Sequence, residues 1–211
     1  VKTDDLIKML AKDARVHVRF GRVFLIVLAV GVLVSALLLL ATIGIRTNMA
    51  EAIQTPRVMF KIGLTLLLAV VATRLAFRIG RPGASVRSAA VALALPLAIL
   101  VIGIIAELLT VPQGAWKASM MGHFSWFCLF FVPTLSIAPL ACILYAVRQG
   151  APESPGKAGA VAGLAAGGVA AALYAWHCPD DSPLFLATWY SIGILIATVA
   201  GFVAGRRILR W

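Results

Sequence analysis

The sequence predicts an all-α polytopic membrane protein: a bundle of six transmembrane helices with a short cytoplasmic N-terminal helix. Three observations lead there. Hydrophobic residues make up 62% of the 211 and charged residues 13%, with a mean hydropathy of +0.99, whereas a soluble domain carries about a quarter charged residues. A chain this apolar cannot hide its surface in one soluble core. Six apolar runs each approach the ~20 residues that a helix needs to cross the hydrocarbon layer. Finally, the basic residues gather on one side of those runs. The runs are too long and continuous for barrel strands, and only helices or closed barrels satisfy the backbone in lipid.

Residues 1–22 precede the first run and form a cytoplasmic segment, with the six-helix domain over residues 23–211. Within the segment Thr3 is a good N-cap, and Asp4 and Asp5 complement the dipole of the first turn. Leu6, Met9 and Leu10 follow an i, i+3, i+4 pattern and give one apolar stripe. Two readings stay open. The helix lies on the inner leaflet, helped by Lys8, Lys12, Arg15 and Arg19, or it docks into a partner's groove. The acidic first turn tilts toward a partner, since anionic lipid repels it.

The spans follow in order: Val23–Ile45, without charge; Val58–Phe77; Ala89–Thr110; Phe124–Val147; Ala158–Trp176; and Leu184–Ala204. Lys61 and Arg74 sit near the ends of the second, where long basic side chains are expected to reach the headgroups. Pro96, Pro133 and Pro139 fall inside spans, each freeing a carbonyl. Gly159, Gly163 and Gly167 share a face of the fifth span, and Gly201 and Gly205 repeat the spacing in the sixth. Such stripes let backbones approach closely in lipid. Packing of the fifth span on the sixth is the expectation, and a homodimer is the other way to use these faces. No cleavable signal peptide is expected, because the first run is longer than a signal core and a charged segment precedes it.

Orientation follows from Lys and Arg. With the N-terminus inside, only Arg46, Arg57, Lys61 and Lys117 of the 19 basic residues face outward. Both termini are therefore placed in the cytoplasm. The net charge of +11 is then a topology signal with an affinity for the lipid bilayer's anionic headgroups. No direct nucleic-acid partner is expected, because the basic residues are dispersed among short loops.

The outward face carries the chemistry. Cys128 lies about a turn inside the fourth span and Cys178 closes the fifth, so the two thiols are at similar depth, while Cys142 is expected to act as a small hydrophobe. His177, Cys178, Asp180 and Asp181 form a tight proline-flanked turn, and His123 precedes the fourth span. Thiolate with imidazole favours copper- or zinc-like ions, so Cys128, Cys178, His123, His177, Asp180 and Asp181 are the candidate ligands of a regulatory metal ion. No cofactor is required. The competing reading makes Asp180, Asp181 and Ser182 caps for the start of the sixth span. Glu107 is the one carboxylate inside a span, near its outer end, and is expected to reach the interface or pair with a neighbour.

Lys2–Thr3–Asp4–Asp5–Leu6–Ile7, the Tyr174–Ala175–Trp176–His177–Cys178–Pro179–Asp180–Asp181–Ser182–Pro183 stretch, Trp189–Tyr190 and the terminal Leu209–Arg210–Trp211 together resemble the NrsF family. These are bacterial inner-membrane anti-sigma factors that regulate extracytoplasmic-function sigma factors. The resemblance covers essentially the whole chain. It implies that Thr3, Asp4, Asp5 and Leu6 help to hold a sigma factor, with Met9 and Leu10 continuing that stripe. It also implies that Cys128 and Cys178 match the family's pair of regulatory cysteines, and the expected mechanism is that a periplasmic cue, a copper-like metal or an oxidant, acts on them. A membrane thiol oxidoreductase is the alternative, but it usually needs a CxxC pair, which this sequence lacks. A small metal transporter needs polar groups along a path through the bilayer, and the spans offer little beyond Glu107. No nucleotide loop or catalytic set appears, so an enzyme is not expected.

Overall fold

In hydrocarbon every backbone N–H and C=O must find its partner within the segment, so each apolar run becomes a helix. The computed structural model describes residues 17–81, 83–150 and 152–210, and among them six helices are long and apolar enough to cross a membrane. They are carried by α1 (His17–Thr42), α2 (Pro56–Ile79), α3 (Ala94–Thr110, within the span Arg87–Thr110), α4 (Ser125–Arg148), α5 (Pro155–Tyr174) and α6 (Ser191–Ile208, within the span Pro183–Ile208). The short helix Arg87–Val91 leads into α3, while an α turn, Pro183–Phe185, and a π turn, Leu186–Tyr190, lead into α6. No strand occurs among the described residues. The fold is an all-α polytopic membrane protein.

Proline sets three of the starts. Pro56, Pro155 and Pro183 each open a helix where the missing N–H has no intrahelical partner to lose. The candidate sigma-binding residues Thr3, Asp4, Asp5, Leu6, Met9 and Leu10 lie outside the described residues. Helix α1 is already formed at His17, so the expected boundary at residue 22 falls within it.

Helix α5 is the centre of the bundle and packs against α6, α2, α4 and α1. Most of its residues are Gly or Ala, and the glycine stripe faces α6. A Cβ on Gly163 would sit 2.8 Å from Thr198 Cα, and one on Gly201 would sit 2.8 Å from Gly163 Cα. A Cβ on Gly205 would lie 2.6 Å from Gly159 Cα, and one on Gly167 would lie 3.2 Å from Ile194 Cα. Those five glycines therefore form the α5–α6 seam within one chain, where van der Waals contact drives helix association.

Helix α3 is the reverse case. Only Pro96, Gly103 and Glu107 of it are buried, and the ring of Phe60 lies against Gly103. Pro96 sits in the first turn of α3, and the span Arg87–Thr110 is interrupted just before it at Ala92–Leu93, where the carbonyl of Ala92, left without an N–H from Pro96, accepts from Leu95 N at 3.1 Å. Pro133 and Pro139 are inside α4. Pro139 has no N–H for the carbonyl of Leu135, and Ser35 Oγ of α1 donates to that carbonyl at 2.7 Å. The break is thereby used to join two helices. Cys142 is half-buried, with its Cβ near where a side chain on Gly31 would start, as its reading as a small hydrophobe requires.

Candidate functional site

At the end of the bundle where α2 and α4 start, the segment from Ala175 to Ser182 is held by Lys61 and by the N–H of Phe124, with Cys178 buried. Cys178 and Cys128 are both fully buried, both free, and both members of one apolar cluster with Tyr174, Phe185, Leu186 and Tyr190. The cluster draws on most of the bundle, including Leu39 of α1 and Leu64 of α2. Cys128 comes from the second turn's edge of α4, Tyr174 from the last turn of α5, and Leu186 with Tyr190 from the π turn before α6. A π turn shifts the helix register and is a frequent mark of functional sites. The hydroxyls of Tyr174 and Tyr190 are buried without a hydrogen-bond partner among the described residues. The Cys178 thiol donates to the carbonyl of Asp180 at 3.9 Å. Burial pushes this thiol up to about 11, with nearby Lys61 acting in the opposite direction, so near neutral pH it is protonated and poorly nucleophilic.

Lys61 departs from expectation. Its side chain is fully buried and does not reach toward headgroups. Its Nζ donates to the carbonyl of Cys178 at 2.6 Å, to the carbonyl of Asp180 at 3.4 Å, and to the carboxylate of Asp181. Asp181 also receives Arg46 Nη1 at 3.0 Å, so two cations share one carboxylate. Arg46 is fixed in turn by its own N–H to Trp176 O at 3.2 Å and by Nε to Asn48 Oδ1 at 2.9 Å. A lone ammonium in a dry site is expensive, and partners on all sides are what make it tolerable.

The other acidic residues divide the capping work differently from the sequence reading. Asp180 caps α4 rather than the sixth span: its carboxylate accepts from His123 N at 3.0 Å and Phe124 N at 2.8 Å. An acid suits the positive end of a helix. Gly122 makes this possible, with φ of 56° and a position where a Cβ would fall 2.7 Å from Asp180 Cγ. Ser182 does cap the turn leading into α6, accepting from Leu184 N at 3.2 Å, while Asp181 caps nothing. Ser182 Oγ also donates to Glu107 Oε1 at 3.1 Å, and Glu107 pairs with Arg57 at 3.3 Å. Glu107 thus ties α3 to both α2 and the Cys178 loop, by pairing with neighbours as expected.

The six candidate metal ligands are not gathered. His177 Nδ1 lies 3.0 Å from Gly44 O, and His123 is exposed with Nδ1 3.7 Å from Asp180 Oδ1. Asp180 and Asp181 are committed to the cap and the ion pairs. Among the described residues no group of three or more His, Cys, Asp or Glu is placed to hold a metal ion. What the structure does bring together is the thiol pair, with Lys61 and the two tyrosines around it. Sequence reasoning missed Lys61, Arg46, Tyr174 and Tyr190. The cations had one legible signal: Lys61 and Arg46 stand at the same end as the adjacent carboxylates Asp180 and Asp181, an obvious charge balance.

Comparison with known proteins gives a consistent picture. Residues 10–211 match the family model described as NrsF, negative regulator of sigma F. The chain is 35% identical over 214 residues to the anti-sigma-F factor NrsF of Caulobacter vibrioides (strain NA1000 / CB15N), covering 100% of each. It is 32% identical over 214 residues to the probable anti-sigma-F factor NrsF of Azospira oryzae (strain ATCC BAA-33 / DSM 13638 / PS), again covering 100% of each. No solved structure matches the chain.

Proposed function

This chain belongs to the NrsF family, and from that premise we propose that it is a membrane-bound anti-sigma factor that holds an extracytoplasmic-function sigma factor at the cytoplasmic face of a bacterial inner membrane. Full-length similarity to two relatives named as anti-sigma-F factors carries the reading. The basic-residue asymmetry supports the orientation, with both termini and the N-terminal segment on the cytoplasmic side. There Thr3, Asp4, Asp5, Leu6, Met9 and Leu10 hold the sigma factor, and a sigma factor so held cannot join RNA polymerase.

Release begins at the periplasmic end, where Cys128 and Cys178 sense the cue. An oxidant takes two electrons and two protons from the pair as the S–S bond forms. A copper-like ion would be held by the two sulfurs, which suit soft metals, since the nearby imidazoles and carboxylates are otherwise engaged. In the resting state both sulfurs are buried and Cys178 is protonated, so the pair is shielded until the loop from Ala175 to Ser182 lifts. To move the population from held to released, the cue must favour one state by a few kcal/mol, about 5.5 for a full reversal.

The test is a sigma-dependent reporter in cells carrying Cys128→Ser or Cys178→Ser. Each substitution is expected to abolish induction by oxidant or copper while the uninduced level stays low. Induction equal to that of the unaltered chain would remove the thiols from the mechanism.

A further inference from the structure

The chemistry of the thiol pair gives no role to the buried cation beside it. Lys61 has two contacts of a kind that a simple ion pair lacks, to the backbone carbonyls of Cys178 and Asp180. An apolar side chain in this place would avoid the desolvation of an ammonium. The charge makes a tie that an apolar side chain cannot: it grips the loop bearing Cys178 from the first turns of α2. At its other end, some 16 residues and about 24 Å along the helix, α2 carries Phe77. That ring packs on Phe24 at 5.2 Å and Phe20 at 5.6 Å, with the Arg81 guanidinium 4.1 Å above it. Phe20 and Phe24 belong to the base of α1, where the N-terminal segment joins the bundle.

We propose that Lys61 is a positioning residue that ties the Cys178 loop to α2 and, through α2, to the base of α1. Lifting the loop strips the ammonium of two carbonyls and of Asp181, so α2 must move to rehydrate it. The Phe77–Phe24–Phe20 contact passes that movement to α1. The output of this route rests on the anti-sigma reading, whereas the hold of Lys61 on the loop does not.

The experiment uses the full chain in lipid vesicles, with Lys61→Met and, separately, Lys61→Arg, and reads amide hydrogen exchange over residues 175–182. Lys61→Met removes the bonds to the carbonyls of Cys178 and Asp180 and is expected to speed exchange there at least fivefold, while the α5–α6 seam exchanges as in the parent. Lys61→Arg keeps a cation with donors for those carbonyls and is expected to restore most of the protection. An unmoved Lys61→Met rate over residues 175–182, or a rate raised equally in the α5–α6 seam, overturns the proposal. In cells with all cysteines present, the Lys61→Met chain is expected to form the Cys128–Cys178 disulfide under oxidant yet induce the sigma-dependent reporter at least fivefold less than the unaltered chain. Induction in step with the disulfide would refute the coupling. An unaltered chain that forms the disulfide without release would sink the anti-sigma switch itself, and the exchange rates over residues 175–182 would still decide whether Lys61 holds the loop.

Discussion

Asp181→Ala is expected to destabilise the folded chain by about 3–5 kcal/mol, the scale seen when one partner of a buried ion pair is removed. The carboxylate is shared by Lys61, whose side chain is fully buried, and Arg46, which is nearly so. Without it two cations face each other in a site with only carbonyls for compensation. Lys61→Met combined with Asp181→Ala removes the buried ammonium as well, and most of the loss should return. Chemical denaturation in detergent, followed by helical signal, measures both. A single variant as stable as the parent would mean that Lys61 is not buried in the folded chain.

The second large effect lies in the N-terminal segment. Replacing Leu6, Met9 and Leu10 with serine is expected to weaken sigma-factor retention at least ~100-fold, because each apolar side chain buried at an interface contributes about 1.5–3 kcal/mol. The sigma-dependent reporter should then run high without any cue. If the stripe lies instead on the inner leaflet, the same substitutions loosen the segment from lipid and leave the reporter low.

Much of this architecture was legible in the residues. Each span is a predominantly apolar run, and lipid leaves such a run one backbone conformation. The α5–α6 seam was legible because five glycines at fourfold spacing have few other uses. The thiol pair was legible through depth alone, as Cys128 in the first turn of α4 and Cys178 just past the end of α5 stand at one end of the bundle. Lys61 was not. Its distance from the end of the run suggests a side chain reaching outward, and its burial is decided by Asp181, 120 residues later. His177 misled in the opposite way: it neighbours Cys178 in sequence, but its ring is turned to Gly44, 133 residues away. Asp180 and Asp181 are adjacent and look equivalent, yet alternate directions of a tight loop send one to the α4 N-terminus and the other to Lys61. The π turn carries neither Gly nor Pro, so nothing in Leu186–Tyr190 announces it.

The most direct test of the central claim is co-purification of the detergent-solubilised protein from its native cell, comparing the full chain with one lacking residues 2–16. A sigma factor recovered with the full chain and lost with the shortened one is the predicted result. No sigma factor with either chain, or equal amounts with both, would contradict it.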